Sequence, residues 1–174
     1  GWSHGDDELF SREQLVAWFD GTHLNKSPAQ WDAAKLTWVN AHYMKQADDT
    51  HLAGLVAAQL ARRGISADAA RLAPMCALFK DRCATTVELA DWLAMYFMPV
   101  QVSDEDRAQH LTDAVKPALA ALAGRLATCA WDKAAINQAI KDTIGEFKLK
   151  MPQLAMPVRG LVCGRAQTPS VDAV

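Results

Sequence analysis

The chain has 174 residues, of which 51% are hydrophobic and 22% are charged, and its formal net charge is −2 at pH 7. This length is sufficient for one substantial hydrophobic core or two small ones. The balanced charge excludes a global basic field, so any contact with nucleic acid has to come from a local basic patch. No apolar run approaches the length of a membrane span, and no signal-peptide pattern opens the sequence, so we expect a cytoplasmic protein.

The spacing of the cysteines and the absence of known catalytic motifs argue against an autonomous active site. The four cysteines form no CxxC pair and no zinc-finger spacing with histidine: Cys76, Cys83, Cys129 and Cys163. We therefore expect reduced, mostly buried thiols and no metal site. The sequence contains no HExxH, GxGxxG, P-loop or GxSxG motif.

The residue composition favours helix almost throughout. Alanine and leucine are abundant, and alternating runs of valine, isoleucine and threonine are missing. We predict an all-α array of about eight short helices without an extensive sheet. Caps and apolar periodicity place these helices at residues 12–20, 28–46, 50–63, 67–81, 86–98, 104–127, 133–147 and 152–164.

Capping signals define the predicted helix starts. Three pairs have the spacing of a capping box: Ser11 with Gln14, Ser27 with Gln30, and Thr85 with Glu88. Pro28 would then occupy the first position of the second helix. Further N-cap candidates are Asp49, Ser66, Ser103 and Asp132. Gly64 suits a left-handed position after a helix, and we expect Pro74 and Pro117 to kink or split their helices.

Residues 35–43 combine a helical pattern with an unusual set of polar and aromatic side chains. Lys35, Trp38 and His42 are spaced to share one helix face. A basic group beside an indole is a plausible contact for an RNA backbone. Tryptophan at helical spacing is more often part of a core, however, and we expect the Trp38 indole to be largely buried.

Basic residues concentrate in two further places. Lys80 and Arg82 lie where one predicted helix ends and the next begins. The stretch from residue 147 to residue 170 contains no acidic residue, and its basic residues are Lys148, Lys150, Arg159 and Arg165. Isolated surface cations are normally solvated, but these two groups are better candidates for contact with an anion.

Four blocks of the sequence, in this order, resemble the C-terminal half of bacterial glutamyl-tRNA synthetase, a class I aminoacyl-tRNA synthetase. The blocks are residues 1–11 (GWSHGDDELFS), 35–43 (KLTWVNAHY), 79–89 (FKDRCATTVEL) followed by Tyr96 and Phe97, and 157–164 (PVRGLVCG) followed by Thr168, Pro169 and Ser170. Each block is weak alone, but four collinear blocks make chance similarity improbable. The sequence departs from the family pattern at Val158, where leucine is usual.

The resemblance implies a division into three parts: the end of a stem-contact region at 1–47, a first helical anticodon-binding subdomain at 48–99, and a second at 100–174 that is truncated at its C-terminus. The HIGH-type and KMSKS-type loops of the family are missing, so we expect a fragment that is inactive alone. Its parent enzyme would attach L-glutamate to tRNA(Glu) using ATP with Mg, whereas the fragment itself would need no cofactor. The implied partner is tRNA(Glu), with no DNA and no membrane, and the implied state is a monomer.

The resemblance also assigns roles to individual residues. Arg82 matches the arginine that discriminating enzymes of this family use at the third anticodon base. Arg159 and Thr168 match positions at the first anticodon base, with Pro169 and Val171 as apolar neighbours. Lys35 and Trp38 match positions near the tRNA stem, and no residue is assigned to catalysis or to a metal.

Other interpretations of these residues stay open. Arg82 also suits a helix C-terminal cation stabilised by the helix dipole, Arg159 a surface arginine, and Thr168 an N-cap. The whole chain could be a helical protein-interaction module with an exposed apolar groove and no RNA binding. A non-discriminating synthetase that also charges tRNA(Gln) is a further alternative, although there the Arg82 position is usually not arginine.

Overall fold

The computed structural model describes residues 1–28, 30–165 and 167–174. Within these residues nine α-helices follow one another: α1 (Arg12–Trp18), α2 (Ala33–Gln46), α3 (Asp49–Ala61), α4 (Ala69–Phe79), α5 (Thr86–Leu93), α6 (Asp104–His110), α7 (Lys116–Leu126), α8 (Lys133–Phe147) and α9 (Met151–Cys163). Two single-turn 3₁₀-helices, Lys80–Arg82 and Ala94–Tyr96, follow α4 and α5. The predicted all-α fold is confirmed, with one α-helix more than the expected eight.

Several of the predicted helix starts are confirmed by hydrogen bonds. Ser11 and Gln14 form a complete capping box at α1. The side chains of Thr85, Ser103 and Asp132 each accept a hydrogen bond from the backbone N–H three residues later. Such a bond satisfies one of the donors that a helix start leaves unpaired. Gly64 follows α3 with a φ of +76°, as its left-handed position requires.

The predicted helix start at Pro28 is wrong, because Asp32, and not Ser27, caps α2. The Ser27 N–H donates to Asn25 Oδ1 at 2.9 Å, which places Ser27 in an Asx turn and not at an N-cap. The Asp32 carboxylate instead accepts from the Lys35 N–H at 2.9 Å and starts α2 at Ala33. The candidates Asp49 and Ser66 are displaced in the same way, because the caps of α3 and α4 are Asp48 and Asp68.

The predicted helix at residues 104–127 is divided into α6 and α7. Pro117 lies in the first turn of α7, where its missing N–H would be unpaired in any case. Pro74, in contrast, lies inside α4 without splitting it. The fully buried side chains of Leu72, Cys76 and Phe79 hold α4 on both sides of that proline.

The buried residues form two separate hydrophobic clusters. In the first cluster, α3, α4 and α5 pack around buried side chains, of which Leu60, Leu72, Phe79, Leu89 and Leu93 are 0% exposed. In the second cluster, α7, α8 and α9 pack around Ala118, Leu122, Ile140, Leu154 and Val158. Burying a leucine or phenylalanine side chain stabilises a fold by roughly 1.5–3 kcal/mol, so each cluster is a substantial core.

The end of the chain, residues 167–174, contacts both clusters. Val171 packs against the second cluster, and Asn137 Nδ2 donates to the Asp172 carboxylate at 3.1 Å. Val174 packs against the first cluster, and its carbonyl accepts a hydrogen bond of 3.1 Å from the Tyr96 hydroxyl. This segment therefore links the two clusters. Among the described helices, none is both long and apolar enough to cross a membrane.

Candidate functional site

Lys80 and Arg82 are neighbours in the sequence but have different environments. The Lys80 side chain is only 18% exposed, and its Nζ lies 2.8 Å from the Asp49 carboxylate. The same ammonium donates to the Ala47 carbonyl at 2.9 Å. Arg82 ends the 3₁₀-helix with an exposed side chain, and no ion pair among the described residues involves it. Lys80 therefore fixes the turn, while Arg82 is available to a ligand.

The backbone that follows Arg82 is fixed by polar side chains from two helices. The Asn40 side-chain amide of α2 donates to the Ala84 carbonyl. The Ala84 N–H donates to a Glu88 carboxylate oxygen at 2.7 Å, and Thr85 caps α5. These hydrogen bonds fix the backbone beside Arg82. They therefore limit the positions that its side chain can reach, as the recognition of a ligand requires.

Cys83, beside Arg82, has a structural environment. It is 2% exposed, and its Sγ donates to the Phe79 carbonyl at 3.5 Å. Burial raises the pKa of this thiol to about 11. The thiol is therefore protonated at neutral pH and is a poor nucleophile.

Arg159 lies on α9 beside a cavity of about 240 Å³. Its side chain is partly buried, and its Nη1 contacts the Met156 sulfur at 3.9 Å. The Arg159 Nε is buried and has no hydrogen-bond partner among the described residues. Leaving a buried donor unpaired costs roughly 1–3 kcal/mol, and an acceptor can reach this Nε only after the side chain moves, because the atom is closed to solvent.

The cavity beside Arg159 also contains acceptors. Asn137 and Asp172 line it, and the buried Asn137 Oδ1 has no donor among the described residues. Hydrogen bonds from Ser170 and then from Asn137 lower the pKa of Asp172, so this carboxylate is ionised at neutral pH. The walls are mainly apolar, formed by residues such as Leu154, Val158 and Val171. The cavity thus offers an apolar slot with both donor and acceptor groups at its edge.

The structure brings only some of the predicted site residues together. Arg159 and Val171 line the same cavity, but Arg82 does not. Thr168 is 7% exposed and its hydroxyl donates to the Pro169 carbonyl at 2.7 Å, so the hydroxyl is already occupied. Pro169 is buried as well. A ligand would reach Thr168 and Pro169 only after a local rearrangement of residues 167–170.

The two predicted stem-contact residues lie on the first half of α2. Lys35 Nζ forms an ion pair of 2.5 Å with Glu8. The prediction that Trp38 is largely buried is wrong, because its side chain is 51% exposed. α2 buries only Met44, near its C-terminal end, so the helix face at Trp38 packs against no core. The role of these two residues in stem contact stays a prediction.

Arg165 is a candidate to which the sequence assigned no role of its own. It follows α9, and its guanidinium carbon lies 4.3 Å from the centre of the Trp92 ring. The only signal in the sequence was its position in the stretch without acidic residues. Because Trp92 is distant in the chain, no local spacing could have identified this contact.

Comparison with known proteins gives the family to which this chain belongs. A family model described as "Anticodon binding domain" matches residues 39–174. The chain therefore belongs to the anticodon binding domain family. The glutamate–tRNA ligases of Leptothrix cholodnii and Paracidovorax citrulli are 64% and 59% identical to it, and each alignment covers 100% of this chain. The chain spans only 38% and 37% of the length of these two relatives.

Solved structures of glutamate–tRNA ligases have the same fold. The Elizabethkingia meningosepticum enzyme, in complex with its amino acid, superposes with a TM-score of 0.86 over 99% of this chain and 35% of its own. The Elizabethkingia anophelis enzyme gives a TM-score of 0.79 over 99% of this chain and 34% of its own. Both are 18% identical in sequence, a level that supports the fold alone.

Proposed function

We propose that this chain recognises the anticodon of tRNA(Glu) within a glutamate–tRNA ligase that attaches L-glutamate to that tRNA using ATP. The observation that carries the proposal is the Arg159 cavity, in a chain of the anticodon binding domain family. A buried guanidinium Nε without an acceptor is costly in a closed protein but suits a site that an RNA base completes.

The chemistry of the cavity supports an unpaired base as its ligand. Proteins recognise single-stranded RNA bases by stacking them on side chains and by hydrogen bonding to their pairing edges. Once their side chains turn toward the cavity, the buried Arg159 Nε supplies a donor and the buried Asn137 Oδ1 an acceptor, while Val171 and its apolar neighbours can contact the face of the base. We assign the first anticodon base to this cavity, with Thr168 and Pro169 contributing after a local rearrangement.

The exposed Arg82 supports selectivity at the third anticodon base. Arginine has five N–H donors and no acceptor. Cytosine presents O2 and N3 as acceptors on its pairing edge, whereas guanine presents donors there. Arg82 would therefore favour the glutamate anticodon over the glutamine anticodon, which supports a discriminating enzyme over a non-discriminating one.

The remaining assignments are proposals on weaker support. Lys35 would exchange its ion pair with Glu8 for a phosphate of the tRNA stem, and Trp38 would lie beside it with an exposed indole. The subdomain division at residues 48 and 100, the monomeric state and the cytoplasmic location also stay predictions. Among the described residues no group of His, Cys, Asp and Glu could hold a metal ion, so we assign no step of the ATP and Mg chemistry to them.

Gel-shift titration of the 174-residue chain with transcribed tRNA(Glu), and with tRNA(Gln) as the comparison, tests the proposal. We expect tighter binding of tRNA(Glu) at a fixed salt concentration, and weaker binding of it by Arg159→Met. Arg71→Gln, at an exposed arginine on α4, is the matched control for the loss of one charge. A chain that binds neither tRNA would contradict the proposal and favour the protein-interaction module. Equal binding of both tRNAs would indicate the non-discriminating kind.

A further inference from the structure

The guanidinium of Arg165 lies on an aromatic stack that reaches into the first hydrophobic cluster. Its central carbon is 4.3 Å from the centre of the Trp92 ring. Trp92 in turn stacks on Phe79, with ring centres 5.3 Å apart and planes inclined by 30°. Phe79 is fully buried. The indole is therefore anchored in the core, and it holds the cation in one place.

The backbone at Arg165 is also fixed. Gly164 ends α9 with a φ of +67°, a conformation that favours glycine. A Cβ at this position would lie 2.9 Å from Val100 Cγ1 and 3.1 Å from the Gln101 carbonyl oxygen. This close approach places the end of α9 directly against Val100 and Gln101, which follow the first cluster in the sequence. Both ends of the Arg165 side chain, the backbone and the guanidinium, are therefore positioned.

Arg165 lies near the turn that ends at Arg82, because the Trp92 ring that it contacts stacks on Phe79, and Phe79 directly precedes the 3₁₀-helix Lys80–Arg82. The charge of Arg165 acts on the Cys83 thiol, where it lowers a pKa that burial raises. Cys83 directly follows Arg82, which ends the 3₁₀-helix. Two arginines from distant parts of the chain thus converge near the turn between α4 and α5.

Arg165 has an exposed side chain, and none of the ion pairs formed by the described residues includes it. The nearby Asp91 carboxylate, which also acts on the Cys83 thiol, is paired with Arg63 at 2.5 Å. The charge of Arg165 is therefore not neutralised within this part of the chain. The guanidinium contacts the Trp92 indole, while Arg165 as a whole is exposed to solvent.

We propose that Arg165 is a further RNA-contacting residue, on whose guanidinium an unpaired base next to the one read by Arg82 stacks. Unpaired RNA bases stack on arginine planes as well as on aromatic rings, and a planar guanidinium is suited to this in a way that an ammonium is not. Trp92 is the positioning residue, because its ring holds the guanidinium in place. This inference rests on the proposed recognition of tRNA.

Filter-binding measurements with tRNA(Glu) test the inference on the 174-residue chain and four variants: Arg165→Gln, Arg165→Lys, Trp92→Leu and the control Arg71→Gln. All are compared at a temperature at which circular dichroism shows each protein to be folded. We expect Arg165→Gln to weaken binding roughly 5- to 100-fold, the range that corresponds to one lost base stack. Arg165→Lys and Trp92→Leu should each lose most of the same affinity, and Arg71→Gln should bind like the unchanged chain.

The outcomes separate this inference from the proposed function. If the unchanged chain binds no tRNA, the proposed function fails and the inference fails with it. If the unchanged chain binds and Arg165→Gln binds equally well, only the inference is overturned. A phosphate contact would give a different pattern: Arg165→Lys would keep full affinity, and the salt dependence of binding by Arg165→Gln would be lower by about one unit of slope. That pattern would overturn stacking. An equal loss of affinity in Arg71→Gln would show that the effect comes from net charge alone, and it would also overturn the inference.

Discussion

Three arginines of this chain are held in three different ways. Arg82 is exposed at the end of a 3₁₀-helix, Arg159 is partly buried with an unpaired Nε, and Arg165 lies 4.3 Å from the Trp92 ring centre. For Arg165 the neighbour that defines the environment, Trp92, is distant in the sequence, whereas the Met156 sulfur that Arg159 contacts is only three residues away. The residue type identifies each arginine as a candidate for binding an anion or a base, but only the packing around it decides which hydrogen bonds its guanidinium can still form.

Trp38 gives a test of burial at the residue scale. Because its side chain is 51% exposed, we expect Trp38→Ala to lower the free energy of unfolding by only about 1–2 kcal/mol, less than the roughly 3–5 kcal/mol typical of a buried aromatic residue. Denaturant unfolding measures this difference. Phe79→Ala, at a fully buried ring, and Trp131→Ala, at a ring that is 80% exposed, bracket the expected value. A loss for Trp38→Ala as large as that for Phe79→Ala would mean that the indole is buried after all.

The cysteines give a prediction for thiol reactivity and for pH. Burial raises the pKa of both Cys76 and Cys83 from 9.0 to about 11, and Cys163 is also buried with a raised pKa. At pH 8 we expect a thiol reagent to label the partly exposed Cys129 first, and the other three cysteines only after unfolding.

The same pKa shifts set a pH window for stability. Between pH 9 and about 11 the thiols of Cys76 and Cys83 stay protonated in the folded chain but ionise in the unfolded chain. The unfolded state then binds fewer protons, so stability falls as the pH rises through this window. Replacing both cysteines by alanine should flatten the dependence of stability on pH between pH 9 and about 11. Rapid labelling of all four thiols at pH 8 in the folded chain would contradict the assigned burial.

At the scale of elements, the 3₁₀-helix that carries Arg82 depends on neighbours from other helices. Lys80 ties it to the junction between α2 and α3 through the Ala47 carbonyl and Asp49. Asn40 of α2 bonds to the backbone just after Arg82, at Ala84. The turn is therefore a product of tertiary contacts, which explains why the sequence predicted a continuous helix over residues 67–81.

Lys80→Met tests whether this tie holds the turn. The change leaves the Asp49 carboxylate without its cation, so we expect a loss of roughly 1–3 kcal/mol in the free energy of unfolding. Lys116→Met is the matched control, because Lys116 pairs with Asp113 where the side chains are 63% and 96% exposed. Exposed pairs contribute about 0–1 kcal/mol. Equal losses in the two variants would show that Lys80 is an ordinary surface lysine.

The parts of the fold that were predictable are those set by local chemistry. The caps at Ser11, Thr85, Ser103 and Asp132 each involve atoms within three residues of one another. The start of α2 was missed because Ser27 and Asp32 both carry side chains that can cap a helix, and in the structure it is Asp32 that accepts the backbone bond, from the Lys35 N–H. The shape of the Arg159 cavity could not be predicted, because residues of α7, α8 and α9 and residues 170–172 form it together.

At the scale of the whole molecule, the proposed recognition residues are distributed over both hydrophobic clusters. Arg82 emerges beside the first cluster, and Arg159 lies on a helix of the second. The segment 167–174 joins them, with Asp172 hydrogen-bonded to Asn137 and Val174 hydrogen-bonded to Tyr96. Reading two anticodon bases at once requires that these two sites keep a fixed separation, and this segment is the element placed to maintain it.

The most direct test of the central claim is a double-mutant cycle between Arg82 and the third anticodon base. Dissociation constants are measured at one salt concentration for the chain and for Arg82→Gln, each with tRNA(Glu) and with the same tRNA carrying guanine in place of the third cytosine. We predict that the unchanged chain prefers cytosine by roughly 1–3 kcal/mol, the value of a good bidentate base contact, and that Arg82→Gln loses most of this preference. An equal preference in both proteins would contradict the account and remove Arg82 from the recognition site.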